Sequence, residues 1–163
     1  MSNITAEPRV ELTCPESVKG LLEEKTIGAL QTMAFFCTDP TDSGALSPED
    51  AVLISMGFTG TSSGTVELVA GKYFGQRLAS NALGCGPTDE EALTQADDSI
   101  RELVNVVVGM MMPRLAIEPG ELFALTLPST RAFEEGEWES FIAAPGVAIL
   151  DAEGDTLALR IIR

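Results

Sequence analysis

The sequence predicts an α+β domain of two layers, with helices packed on a mostly antiparallel β-sheet. Three observations predict it. Apolar residues recur at helical spacing near the N-terminus and again through the middle of the chain. Short apolar runs joined by Gly/Ser/Thr or Glu-Gly turns read as β-hairpins. Helices and strands come in separate blocks rather than alternating one by one, which favours antiparallel pairing over a parallel sheet.

Residues 1–13 are polar and without a clear period, and residues 1–14 are expected to be a flexible arm. Residues 15–163 are expected to form one domain, since no repeat or linker divides them. A helix is predicted from about Pro15 to Cys37, with Pro15 suited to its first turn and Val18, Leu21, Leu22, Ala29, Met33 and Phe36 roughly at helical spacing. The turn formers from Thr38 to Asp50 predict a surface loop. Ala51–Phe58 and Thr65–Ala70 predict two strands around a Thr-Gly-Thr-Ser-Ser-Gly turn. Lys72–Leu83 predicts a helix that stops at Gly84.

A longer helix is predicted from near Thr88 to about Met112, with Thr88 and Glu91 at capping-box spacing and Pro113 ending it. Leu122–Leu127 predicts a short strand ending at Pro128. Arg131–Glu139 predicts a loop or weak edge strand with Trp138 exposed. Val147–Asp151 and Thr156–Ile162, around Ala-Glu-Gly-Asp, predict a second hairpin.

The composition excludes several kinds of function. A net charge of −15 argues against nucleic acid and against an anionic membrane surface, both of which require Lys and Arg. No apolar run approaches the roughly 18 residues of a membrane helix, and no signal segment opens the chain. With no histidine, the usual general base, the Ser-His and Cys-His pairs and the commonest metal ligand are all missing. Cys14, Cys37 and Cys85 share no metal or redox spacing, so the expectation is a cytoplasmic protein with free thiols. The run Glu134, Glu135, Glu137, Glu139 lacks the spacing of a calcium loop, and Gly57–Gly64 lacks the Gly-Lys-Ser/Thr of a phosphate loop. No metal site is predicted.

One stretch stands apart. In the long helix, at about 100° per residue, Ala96, Ile100, Leu103, Val107 and Met111 gather on one side. Asp98, Glu102, Asn105 and Gly109 gather on the other, within about 60° of one another. Asn is a mediocre helix former, and Gly costs about 1 kcal/mol relative to Ala in a helix interior. Two readings stand side by side: a solvated helix face, and a recognition face that carries a carboxylate and a carboxamide into a partner's site. Asn is no proton-transfer base, so its natural catalytic task is to orient a water, which suits phosphoryl transfer.

The spacing Asp98, three residues, Glu102, two residues, Asn105, then twenty-two residues to Pro128, resembles the signature of the CheC/CheX/FliY phosphatase family of bacterial chemotaxis. Ser55-Met-Gly-Phe-Thr-Gly60, Gly64-Thr-Val-Glu-Leu68, Ala79-Ser-Asn-Ala-Leu-Gly84 and Glu102–Gly109 resemble it as well, and the likeness spans about residues 15–163. A single Glu-x-x-Asn copy in a chain of one domain's length resembles the CheX branch.

The resemblance implies a CheX/CheC-like fold and hydrolysis of the phospho-aspartate of a CheY-like response regulator. It implies that Asn105 orients the attacking water and that Glu102 pairs with the regulator's lysine, with Asp98, Gly109 and Pro128 in support. It implies Mg²⁺ on the regulator rather than a cofactor of this chain, and a homodimer. A non-catalytic homodimeric module that binds a response regulator or a flagellar-switch component is the alternative.

Overall fold

In the computed structural model, which describes residues 7–42 and 47–163, the chain runs α1 (Pro15–Ala34), β1 (Thr38–Pro40), β2 (Ala51–Thr59), β3 (Gly64–Gly71), α2 (Lys72–Leu83) and α3 (Glu90–Leu115). It continues with β4 (Ala124–Leu125), β5 (Ser129–Ala132), a 3-10 turn at Glu135–Glu137, α4 (Trp138–Ile142), β6 (Ala148–Ala152) and β7 (Asp155–Ile162). The strands form one sheet in the order β1-β6-β7-β3-β2-β4, with β5 also paired to β2, and every pairing is antiparallel. The β6–β7 hairpin closes through Glu153 at φ 52° and Gly154 at φ 98°, the two positive-φ positions of a type I′ turn.

Helices α1, α2 and α3 cover one face of this sheet. The main core joins Leu21, Leu22 and Leu30 of α1 and Ile100, Leu103, Val104 and Val107 of α3 to Ile54, Met56, Val66, Leu68, Leu157 and Leu159 of the strands. The alternate strand positions face the other way. Leu53, Val69, Ile149 and Ala158 make a second, smaller cluster with Phe133, Trp138 and Phe141. Strands buried on both faces explain why the runs read as nearly continuous apolar sequence.

Several expectations shift. Helix α1 stops at Ala34, not Cys37, because Phe35 turns left-handed at φ 58° and Phe36 folds back into the core, its ring 5.6 Å from that of Phe74. The Thr38–Asp50 loop contains β1, paired to β6; residues 43–46 of that loop lie outside the described residues. Helix α3 starts at Glu90 and carries Pro113 within it, running on to Leu115. Its end is held by buried Leu115 and by Arg114, which pairs with Glu7 and Glu24 at 3.0 Å each. The expected Thr88/Glu91 capping box is absent: the N-cap is Asp89, whose carboxylate accepts the Gly86 N–H at 2.8 Å.

Trp138 is buried, not exposed, because the 3-10 turn and α4 lay it with Phe141 over the second face of the sheet. Within the acidic run, Glu137 accepts from both guanidinium nitrogens of Arg131 at 2.9 and 3.0 Å. Of the expected N-terminal arm, residues 1–6 lie outside the described residues. Val10 is buried, and its N–H donates to the Arg114 carbonyl at 2.7 Å.

Candidate functional site

The site begins with how α3 is seated. Its buried face, Ala92, Ala96, Ile100, Leu103, Val104, Val107, Val108 and Met111, follows the helical period and packs on the sheet and on α2. The α2 contact is intimate: a Cβ at Gly75 would stand 2.8 Å from the Ala96 carbonyl oxygen. Seated this way, α3 turns Asp98, Glu102, Asn105 and Gly109 outward, all exposed. Among the described residues, no hydrogen bond occupies the side chain of Glu102 or Asn105. A Cβ at Gly109 would meet nothing within 4 Å.

Pro113, four residues past Gly109, has no N–H to donate to the Gly109 carbonyl.

Pro128 lies apart from the stripe, on the outer edge of β2. There β4 and β5 pair with β2 in sequence, but Thr126, Leu127 and Pro128 face only Met56 and Gly57. The extra residue makes a bulge, where a residue with no N–H is tolerated. Gly57 anchors the segment by donating its N–H to Thr126 Oγ1 at 2.8 Å and accepting the Thr126 N–H at 3.0 Å. Gly60 lets Phe123 pack closely: a Cβ there would fall 2.6 Å from Phe123 Cδ1. Glu121 staples the same segment, accepting from the Thr61 hydroxyl and amide and from the Ile117 amide. The Thr61 hydroxyl above all, with those two amides, holds the Glu121 carboxyl down at about 2.

Asp98 pairs with Arg101, which periodicity had not singled out. Arg101 also donates to Thr130 Oγ1 at 3.0 Å, tying α3 to β5. An acid and a base three apart are visible in the sequence. The Thr130 contact, 29 residues away, has no sequence signal.

Other chemistry is sparse among the described residues. Cys85, Asp89 and Glu91 bring ligand-type atoms within 4.8 Å of one another. They sit at the start of α3, roughly 10 Å along the axis from Asp98 at 1.5 Å per residue, and Asp89 is engaged by Gly86. Cys14, Cys37 and Cys85 are free thiols. No described helix is long and apolar enough to cross a membrane.

A family profile described as chemotaxis phosphatase CheX matches residues 52–149, a span that holds the stripe and Pro128. No curated protein sequence matches the chain. Solved structures do. The complex of CheX with CheY, BeF3 and Mg²⁺ from Borrelia burgdorferi is 17% identical, with 88% of this chain and 95% of that chain covered and a TM-score of 0.62. CheX from Vibrio vulnificus is 14% identical over 96% and 98%, with a TM-score of 0.63. FliY from Thermotoga maritima is 14% identical over 90% and 86%, with a TM-score of 0.57. At these identities the structures establish the fold.

Proposed function

From the premise that this chain belongs to the CheX family of chemotaxis phosphatases, we propose that it hydrolyses the phospho-aspartate of a CheY-like response regulator. The observation that carries the reading is that Glu102 and Asn105 stand exposed, one turn apart on α3, with no hydrogen-bond partner among the described residues. In this reading the two side chains, bound to nothing among the described residues, are free to meet the regulator.

In the proposed reaction the Asn105 carboxamide holds a water in line with the phosphorus by accepting one of its hydrogens and leaving its lone pair directed at the phosphoryl group. The water oxygen bonds to phosphorus as the bond to the aspartate oxygen breaks. The aspartate leaves as a carboxylate, and the water's proton departs with the phosphate product or to solvent. Glu102 pairs with the regulator's lysine and sets the angle at which α3 docks. Mg²⁺ on the regulator supplies neutralisation of the phosphoryl charge. The chain itself supplies position.

A homodimer belongs to the same proposal. Leu122, Leu125 and Leu127 are exposed on the edge formed by β4 and the bulge, Leu122 and Leu127 at 90% and 89%, and this apolar surface suits a second copy. Light scattering should give twice the monomer mass. A monomer at micromolar concentration contradicts it.

The test of the function is phosphate release. Added to a phosphorylated CheY-type regulator with Mg²⁺, the protein should accelerate phosphate loss catalytically. Stoichiometric complex formation with no acceleration would instead favour the non-catalytic module.

A further inference from the structure

Between Arg77 and Arg114 the chain has one basic residue, Arg101. Its guanidinium leaves α3 sideways and is held at both ends. One nitrogen donates to the Asp98 carboxylate on the preceding turn, and the other donates to Thr130 Oγ1 at 3.0 Å on β5. Thr130 is two residues past Pro128, so the bulge that contains Pro128 sets where this acceptor stands along the edge of β2. Asp98 directly, and Pro128 through its place just before β5, thus bear on one side chain.

We infer that Arg101 is a positioning residue for the proposed hydrolysis, locking the rotation of α3 about its own axis so that Glu102 and Asn105 meet the phosphorylated partner at a fixed angle. The inference rests on the phosphatase reading above. Its physical basis is the difference between apolar and directional contact. The buried face of α3 presents Ile100, Leu103, Val104 and Val107 to other aliphatic side chains and Ala96 to Gly75, contacts that fix its depth but include no directional bond. A hydrogen bond to a fixed strand resists a roll of the helix. A side chain about 6 Å from the helix axis moves about 1 Å for a roll of about 10°. A displacement of about 1 Å can lower a rate on the order of 100-fold when the reacting groups must be aligned.

The residue type fits the task. A planar guanidinium holds two separate acceptors at once, whereas an ammonium is a point charge on a flexible stem. Thr130 supplies a hydroxyl on a strand whose backbone is fixed by pairing to β2.

The experiment measures kcat and KM for dephosphorylation of a CheY-type regulator by the full chain, with wild type, Asn105→Ala, Arg101→Ala, Arg101→Lys and Thr130→Val side by side. Arg101→Ala should lower kcat about tenfold or more with KM within about twofold. Thr130→Val, which keeps the strand residue's shape and the Asp98 contact, should lose about threefold, and Arg101→Lys should recover part of the Ala loss. Thr130→Val leaves α3 unaltered and so tests the idea even where Arg101→Ala folds poorly. Wild-type kcat for Arg101→Ala and Thr130→Val beside an inactive Asn105→Ala overturns the positioning role and leaves the phosphatase reading standing. A rise in KM alone also overturns it, because Arg101 would then be touching the partner. An inactive wild type overturns both.

Discussion

Gly75 of α2 and Ala96 of α3 approach so closely that a Cβ on Gly75 would lie 2.8 Å from the Ala96 carbonyl oxygen and 2.9 Å from Ile100 Cδ1. The first neighbour is backbone and cannot move aside as a side-chain tip can. Gly75→Ala should therefore push the two helices apart and destabilise the protein by about 1–3 kcal/mol. Urea unfolding reads this directly. Unchanged stability would mean that α3 is not seated by this contact.

Gly109→Ala tests the opposite case. Its Cβ enters open space, so helix propensity alone should hold or raise stability, by up to about 1 kcal/mol. The new methyl stands on the exposed stripe, and phosphatase activity should fall several-fold. Full activity would show that the partner does not approach this point of the stripe.

The Glu121 staple should respond to acid. Its folded pKa, about 2, lies below its ordinary 4.5. The stabilisation it gives the segment before β4 is therefore complete above about pH 4.5 and is lost as pH falls toward and through 2. The Thr61 and Ile117 amide resonances should titrate with a midpoint near 2 and stop titrating in Glu121→Gln. A midpoint at 4.5 would show that the carboxylate is not engaged.

Trp138 is the only tryptophan in the chain and is buried with Phe133 and Phe141 on the second face of the sheet. Its emission should be blue-shifted in the folded protein and move red on unfolding, and Trp138→Ala should remove about 3 kcal/mol or more. Solvent-like emission from the folded protein would contradict the packing.

The sequence makes some of this legible and hides the rest for identifiable reasons. The polar stripe of α3 is readable because local geometry alone decides it: residues at steps of 3 and 4 share a helix face wherever the helix lies. The hairpins are readable because turn chemistry is local, as in Glu153-Gly154. Trp138 is misread because its neighbours are acidic, while what buries it is the far face of a sheet assembled from β2, β3 and β7. β1 is misread because three residues ending in Pro inside a turn-rich stretch carry no period, and only pairing with β6 makes them a strand. The Arg101–Thr130 contact depends on a bulge elsewhere in the chain. Pro128 is noticeable by its spacing, yet its physical place, one residue before a strand that α3 holds, comes from the fold.

The central claim is that Asn105 positions the water that cleaves the phospho-aspartate, and replacing its side chain tests this most directly. Asn105 is exposed and makes no side-chain hydrogen bond among the described residues, so Asn105→Ala should fold with wild-type stability or slightly better. Phosphate release from a phosphorylated CheY-type regulator should be measured with wild type and Asn105→Ala at equal concentration, alongside binding of each to the regulator. Acceleration by the wild type that drops by a factor of 100 or more (roughly the share set by alignment of the reacting groups), with binding retained, is the expected result. Equal acceleration by both proteins would contradict the account.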